Sequence, residues 1–501
     1  MASPIRLSSV ARDSAISYLG TFGVLGVGLS TKVLLARTLT PADFGLLIIA
    51  QTLVGLGLTL MQYSVPDTVV RFVGLSARHN MANAKGVVAS ALQLSLILVV
   101  PLALGLWAGA GWIAEHIYQR AALAGVLVLS ALAMPFTAVA EVVAAAYRGM
   151  SQIWVKVVLL DLGRALLVVL GVGLLIALNA SSLLTVVTVY TAAAVAAAVL
   201  ITTMFVRSHR WRVARTPAPI GDLLHYSLPL MGSSLAVWPM TAIPLLLGSA
   251  VSAQAVAFYS LSSAIANLIY MPTSAIDTAA LPIWSDRIAQ GDIASLRVGY
   301  TFTTRWCLIA GLAIFGPLVL CPAEILGLFY GPNYRVAASV VQAVAALFLL
   351  NAATGPTQSL LRALGYTRQI FFAHLVGGAS ALVVAAVLIP AWGMPGALAA
   401  LGVSTILVIG VEMLSLLLLQ GIHPFDATYF KTILAGLLAL VLTSLLLGYL
   451  GERVSRTAYS ALVYIGLFLI LLLALRVSVL QDGWLVQYVR AFIKRLLLKR
   501  A

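Results

Sequence analysis

"STKVLLARTLTPADFGLLIIA", residues 30–50, joins two apolar stretches through the polar turn "RTLTPADFG". A helix crossing a bilayer needs about 20 consecutive, mainly apolar residues, and each flanking stretch is long enough. The turn carries a helix start: Thr40 is placed to cap, Pro41 stands at the first helical position and Asp43 in the first turn. Lys32, by contrast, lies inside the first apolar stretch, where a cation needs a reason.

The pattern extends outward along the whole chain of 501 residues, 62% of them hydrophobic and 9% charged, with mean hydropathy +1.06. A water-soluble chain carries roughly a quarter charged residues. Apolar runs recur between polar breaks and predict about fourteen membrane helices, the first two over 14–36 and 44–66 and the fifth over 157–178. A transmembrane β-barrel would show short alternating segments instead. The fold class expected is therefore an all-α polytopic membrane protein.

The 30 lysines and arginines set the orientation. Arg37, Arg120, Arg335, Arg453 and Arg456 fall in the turns after odd-numbered helices, and Lys32, Arg164 and Arg305 inside helices. All the others lie in the N-terminal segment, the turns after even-numbered helices, or the tail. This positive-inside bias places both termini in the cytoplasm and accounts for the net charge of +15 without nucleic acid. "MASPIRLSSVARDS" (1–14) reads as a cytoplasmic lead, not a removed signal peptide. Cys307 and Cys321, the only cysteines, support neither a disulfide framework nor a metal site. No cofactor or catalytic residue is predicted.

The second half echoes the first at an offset of about 212 residues. "LTPADFGLL" (39–47) lies over "VSAQAVAFY" (251–259), and "HIYQR" (116–120) over "LFYGP" (328–332). With a two-residue insertion, Arg148 in "YRGMSQ" then falls over Arg362 in "LRALGYT". Six helices per copy enter the membrane in the same direction, so the halves are expected to form two pseudo-twofold-related bundles. The predicted organisation is a six-helix bundle (1–206), a basic cytoplasmic linker (207–225) and a second six-helix bundle (226–420). Two extra helices (421–476) and a basic amphipathic tail (477–501) on the inner leaflet follow.

Charges inside the membrane are the candidate functional residues, because each costs about 2.5–3.5 kcal/mol unless it faces a cavity or a partner. Lys32 sits about 7.5 Å from the outer end of helix 1, and Arg164 and Arg305 each about 10 Å from the inner ends of helices 5 and 9, at 1.5 Å per residue. Lysine offers a mobile point charge and arginine a planar fork suited to phosphate, so the three are read as a cationic cavity lining. The bland alternatives are snorkelling for Lys32 and a local pair with Asp161 for Arg164. For Arg305, it is a partner on another helix. Arg71 and Arg148, near inner helix ends, are topology signals or contacts for a lipid phosphate. Glu141, Asp161, Asp277 and Glu412 are candidates for gating or proton coupling, with a Glu141–Arg148 contact conceivable two turns apart. His225 and His374 stand singly, without metal spacing. Gly20, Gly23, Gly26 and Gly28 in helix 1 allow close packing or bending, and Pro229, Pro239 and Pro244 invite bends in helix 7. Helices 1 and 7 are thus the expected mobile elements.

"ARTLTPADFGLLIIAQTLVGL" (36–56), "VVRFVGLSARHN" (69–80), "YRGMSQ" (147–152) and "LRALGYTRQ" (361–369) resemble the polysaccharide-exporting branch of the multidrug/oligosaccharidyl-lipid/polysaccharide flippase superfamily. The resemblance implies a bacterial inner-membrane flippase for undecaprenyl-pyrophosphate-linked repeat units of exopolysaccharide or O-antigen, working by alternating access. It also implies membrane lipid, a polysaccharide polymerase and a co-polymerase as partners. A peptidoglycan-precursor flippase and a multidrug extruder are the alternatives. A drug extruder would want an acid in helix 1, where only Asp13 stands, at its very start. A membrane glycosyltransferase would want long outward loops rich in acids or histidines, which the sequence lacks.

Overall fold

The computed structural model describes residues 7–62, 64–76, 81–208, 221, 223–228, 239–450, 456–475 and 477, and these form helices joined by short turns. The first half holds α1 (Leu7–Thr38), α2 (Pro41–Gln62), α3 (Val65–Ser76), α4 (Met81–Trp112), α5 (Ala122–Gly149), α6 (Ile153–Ala177) and α7 (Leu183–Ser208). The second half continues with α8 (Ile243–Ala250), α9 (Ala253–Ile269), α10 (Met271–Ala289), α11 (Ile293–Leu320), α12 (Pro322–Tyr330), α13 (Ala338–Thr354) and α14 (Thr357–Ala363). It ends with α15 (Thr367–Trp392), α16 (Met394–Gln420), α17 (Ala427–Leu450) and α18 (Arg456–Ala474).

Among the described residues 10 helices are long and apolar enough to cross a membrane, or 11 if the bent pair α9–α10 is one span. Of the other expected spans, 226–249 and α18 fall partly outside the described residues, and in α1 the side chains of 7–22 do. So do most of the linker 207–225, the middle of helix 7 with Pro229, and the tail after 477. Leu170, Leu174, Leu418 and Leu473 keep more than half their surface exposed, the sign of helices whose outer faces meet lipid rather than water. The protein is a multi-pass membrane protein.

The predicted repeat is visible in the backbone. Among the described residues, the non-glycine residues with positive φ are Gln119 (52°), Ser151 (62°) and Asn179 (51°). Their counterparts in the second half are Gly331 (103°), Gly365 (82°) and Gly393 (64°), displaced by 212, 214 and 214 residues. Helix starts keep the same spacing: Pro41 and Ala253, Met81 and Ile293, Ile153 and Thr367. The growth of the offset by two falls across the segment where continuous α5 is replaced by α13 and α14, separated at Gly355 and Pro356. Side chains bond to the backbone freed at that interruption, as backbone at membrane depth requires. The Tyr300 and Tyr429 hydroxyls donate to the carbonyls of Thr354 (2.8 Å) and Ala353 (3.0 Å), and Asp277 accepts the Ser359 N–H at 3.0 Å.

Thr40 caps α2 as expected: its hydroxyl accepts the Asp43 N–H at 3.2 Å and donates to the Asp43 carboxylate at 2.7 Å. The short amphipathic α3 was not anticipated as a separate element. Val65, Val69 and Val73 recur every fourth residue and are buried against α4 and α5, while Asp67 and Arg71 stay exposed.

Contacts divide the chain into two compact units. One comprises Met1–Ile265, Leu326–Val340 and Arg368–Val411, the other Ala266–Ile325, Val341–Thr367 and Glu412–Ala501. Within the first unit the end of α1 meets the end of α12, and the turn after α4 meets α8. Arg37 donates from Nε to the Phe329 carbonyl at 3.0 Å and from Nη2 to the Leu328 carbonyl, and the Tyr118 hydroxyl donates to Leu245 O at 3.4 Å. The Ala253 carbonyl fills the space a side chain on Gly45 would need. Within the second unit α11, α17 and α18 share a core of Leu308, Leu312, Ala435, Ala439, Tyr464 and Phe468.

Candidate functional site

A cavity of about 470 Å³ opens inside the first unit between α1, α2, α5, α6 and α7. Its polar lining consists of Lys32 and Thr31 from α1, Gln51 from α2, Ser130 and Thr137 from α5, Asp161 and Arg164 from α6, and Tyr190 and Thr191 from α7. Gln51 and Tyr190 stand side by side in this lining. Gly28 faces the same space, and neither it nor Gly26 has a neighbour within reach of a Cβ. Of the described glycines, the close-packing reading of helix 1 holds for Gly23, whose side-chain position abuts Leu162 at 3.6 Å; the surroundings of Gly20 lie outside the described residues. At Gly28 the missing side chain widens the cavity instead.

Lys32 and Arg164 are half-buried, and among the described residues neither has an acid within 4.0 Å. The expected Asp161–Arg164 pair is thus not closed. Two cations and one carboxylate share the cavity, which leaves it net positive.

Just beyond the cavity, Lys156 Nζ lies 3.2 Å from Glu141 Oε2, a pairing that replaces the conceivable Glu141–Arg148 contact. Arg148 points to Asp67 instead, at 3.6 Å, because α3 brings that carboxylate under the end of α5. Arg71 stacks over the Tyr226 ring at 4.4 Å from its centroid, a geometry that holds a guanidinium without an acid.

Helix α6 begins at Ile153, four residues before the predicted limit, and opens into a π turn over Lys156–Leu162. Residues five apart in an α-helix point about 140° away from each other, whereas i→i+5 bonding stacks them. The π turn therefore brings Lys156 into line with Asp161, and Arg164 follows on the same face. It closes at Gly163, where a Cβ would sit 3.1 Å from the Val158 carbonyl oxygen. The charges acting on Asp161 are those of Lys156, Glu141, Arg164 and Arg148, Lys156 most strongly.

Arg305 departs from expectation. Its Nη2 lies 2.9 Å from Asp426 Oδ2 in the second compact unit, and it does not line the cavity. Asp426 also accepts the Tyr429 N–H at 2.6 Å, so Arg305 fastens α11 to the cap of α17. This is the partner-on-another-helix alternative. Glu412, 5% exposed, accepts from Gln358 at 3.0 Å, and Asp277 is occupied by the Ser359 N–H. Both acids accept from neutral donors within the second compact unit. Among the described residues no cluster of His, Cys, Asp or Glu could hold a metal.

Sequence reasoning missed four residues. Lys156 reads as a loop charge because it precedes the predicted limit of the helix at 157, Asp426 lies 121 positions from Arg305, and Gln51 and Tyr190 carry no charge to mark them.

The family described as "Polysaccharide biosynthesis protein" matches residues 34–339. No curated protein sequence matches the chain. Among solved structures, a lipid II flippase MurJ in an inward closed conformation is similar with TM-score 0.72 and 12% identity, over 91% of this chain and 97% of that one. An inward-facing multidrug resistance MATE transporter of the MOP superfamily gives TM-score 0.64 and 15% identity over 78% and 93%. A MOP superfamily transporter from Pyrococcus furiosus, described as having a binding pocket of reverse polarity, gives 0.55 and 16% over 81% and 94%.

Proposed function

Since the chain belongs to the polysaccharide biosynthesis protein family and has the transporter fold of the MOP superfamily, we propose that it flips undecaprenyl-pyrophosphate-linked oligosaccharide repeat units. The passage runs across the bacterial inner membrane by alternating access, without covalent chemistry. The observation that carries the reading is the cavity in which Lys32 and Arg164 lie without an ion-pair partner among the described residues. An unpaired cation in a low-dielectric interior is costly unless an anion arrives to meet it. A pyrophosphate handle is such an anion, and the hydroxyls, Gln51 and Tyr190 offer a sugar both donors and acceptors. The product would pass to a polymerase and its co-polymerase in the outer leaflet.

A peptidoglycan-precursor flippase is the second reading, supported by the likeness to the lipid II flippase structure and by the same pyrophosphate chemistry. Family membership favours the polysaccharide unit. A pump for organic cations would be repelled by a net positive cavity.

The test is a chromosomal deletion scored for surface polysaccharide and for accumulated lipid-linked repeat units, then complemented. Lys32→Met and Arg164→Met should each lower export about ten-fold or more, the loss of one charge-assisted contact, at normal protein level. Normal export by both variants would overturn the reading.

A further inference from the structure

Charges continue beyond the cavity within the same compact unit: Asp161, Arg164 and Lys32 line it, and past them Lys156 pairs with Glu141 and Arg148 with Asp67. We propose that Lys156 is a binding residue for the anionic headgroup, which it takes from Arg148 and hands to Arg164 and Lys32, with Glu141 as the counter-ion that holds it between cycles.

Three observations carry this. The first is the π turn: it puts Lys156 on the same helix face as Asp161, which lines the cavity. A purely structural ion pair needs no such departure from α-helical register. The second is burial. The side chains of Lys156 and Glu141 are 27% and 16% exposed, so a bare ammonium here would be costly, and a resident carboxylate removes most of that cost. A phosphate that takes the ammonium leaves Glu141 in place without its counter-ion, so Glu141 opposes lasting binding there and favours passing the headgroup on. The third is residue type: a lysine on a flexible stem can turn from Glu141 to a passing phosphate without losing donors, whereas a forked guanidinium is bound to one geometry.

The proposal rests on the pyrophosphate reading above and can fail separately from it. The full-length chain in lipid nanodiscs is titrated with undecaprenyl pyrophosphate, with undecaprenol as the control for tail binding, and tryptophan fluorescence as the signal. Lys156→Met should weaken binding of the pyrophosphate lipid about ten-fold, and Lys156→Arg, which keeps the charge but not the mobile point donor, should restore only part of it. Glu141→Gln should bind more tightly, because the ammonium is released; loss of a merely structural partner would not tighten binding. Should Lys156→Met fail to fold, the neutral pair Lys156→Met/Glu141→Gln replaces it: about ten-fold weaker binding upholds the proposal, and wild-type affinity overturns it. Weakened binding in Lys32→Met and Arg164→Met with unchanged binding in both Lys156→Met and Glu141→Gln would also overturn it, while leaving the cavity reading intact. If none of the four variants shifts binding, the pyrophosphate reading falls with it.

Discussion

Gln119, Ser151 and Asn179 in the first copy of the repeat and Gly331, Gly365 and Gly393 in the second hold matching left-handed turns. The side chains between those turns have gone separate ways. At the same offsets Lys32 stands over Pro244, Lys156 over Ile370, Asp161 over Leu375 and Arg164 over Gly378. The first copy carries cations around a cavity. In the second, Arg305 is matched to Asp426, and Asp277 and Glu412 to a backbone N–H and an amide. Turn positions are constrained by sterics that any chain tracing the same path must satisfy. Charges are constrained only by what they bind, so one copy can specialise while the other keeps the scaffold.

The sharpest way to break this picture is at Gly45, which stands 212 residues before Ala257. The Ala253 carbonyl occupies the place of a Gly45 side chain, and because that obstacle is backbone, it cannot swing aside. Gly45→Ala should cost about 3 kcal/mol or more, visible as a large fall in thermal midpoint and yield of the purified protein. Ala257→Gly, which loses only helix propensity and a buried methyl, should cost about 1–2 kcal/mol. Equal penalties would mean that the two copies meet symmetrically and that the asymmetry at this contact is illusory.

The next largest effect separates scaffold from cavity in the charges themselves. Arg305→Met leaves Asp426 without its partner and should destabilise by up to about 3 kcal/mol, while the export that survives per folded molecule stays normal. Arg305→Met/Asp426→Leu should recover much of that stability. Lys32→Met and Arg164→Met should do the reverse, sparing stability and losing export. If Arg305→Met abolished export in a well-folded protein, the second copy would also supply a transport cation and the division of labour would fail.

Sequence reasoning reached the helix succession, the repeat and the Thr40 cap because each rests on local periodicity, turn chemistry or spacing. It reached Lys32 and Arg164 because an ionised group in an apolar run is visible without knowing the fold. It could not see that Arg305 is neutralised, since nothing on α11 foretells an aspartate at the cap of α17. Lys156 was hidden for another reason. A π turn changes which residues share a face, and hydrophobic periodicity read at 3.6 residues per turn gives no sign of it.

The smallest test lies at the turns. A side chain in the left-handed region costs about 1–2 kcal/mol where glycine costs little. Gly365→Ser, which writes the first copy's residue into the second, should therefore destabilise by about 1 kcal/mol. Ser151→Gly, the reverse exchange, should be neutral or stabilise by up to about 1 kcal/mol, the relief being offset by the freedom glycine gains when unfolded. Paired thermal midpoints in the same detergent read both shifts. Opposite signs would show that backbone sterics alone hold the shared turn. A silent Gly365→Ser beside a destabilising Ser151→Gly would instead mean that Ser151 is kept by contacts of its own, and that the two turns coincide in φ without sharing a cause.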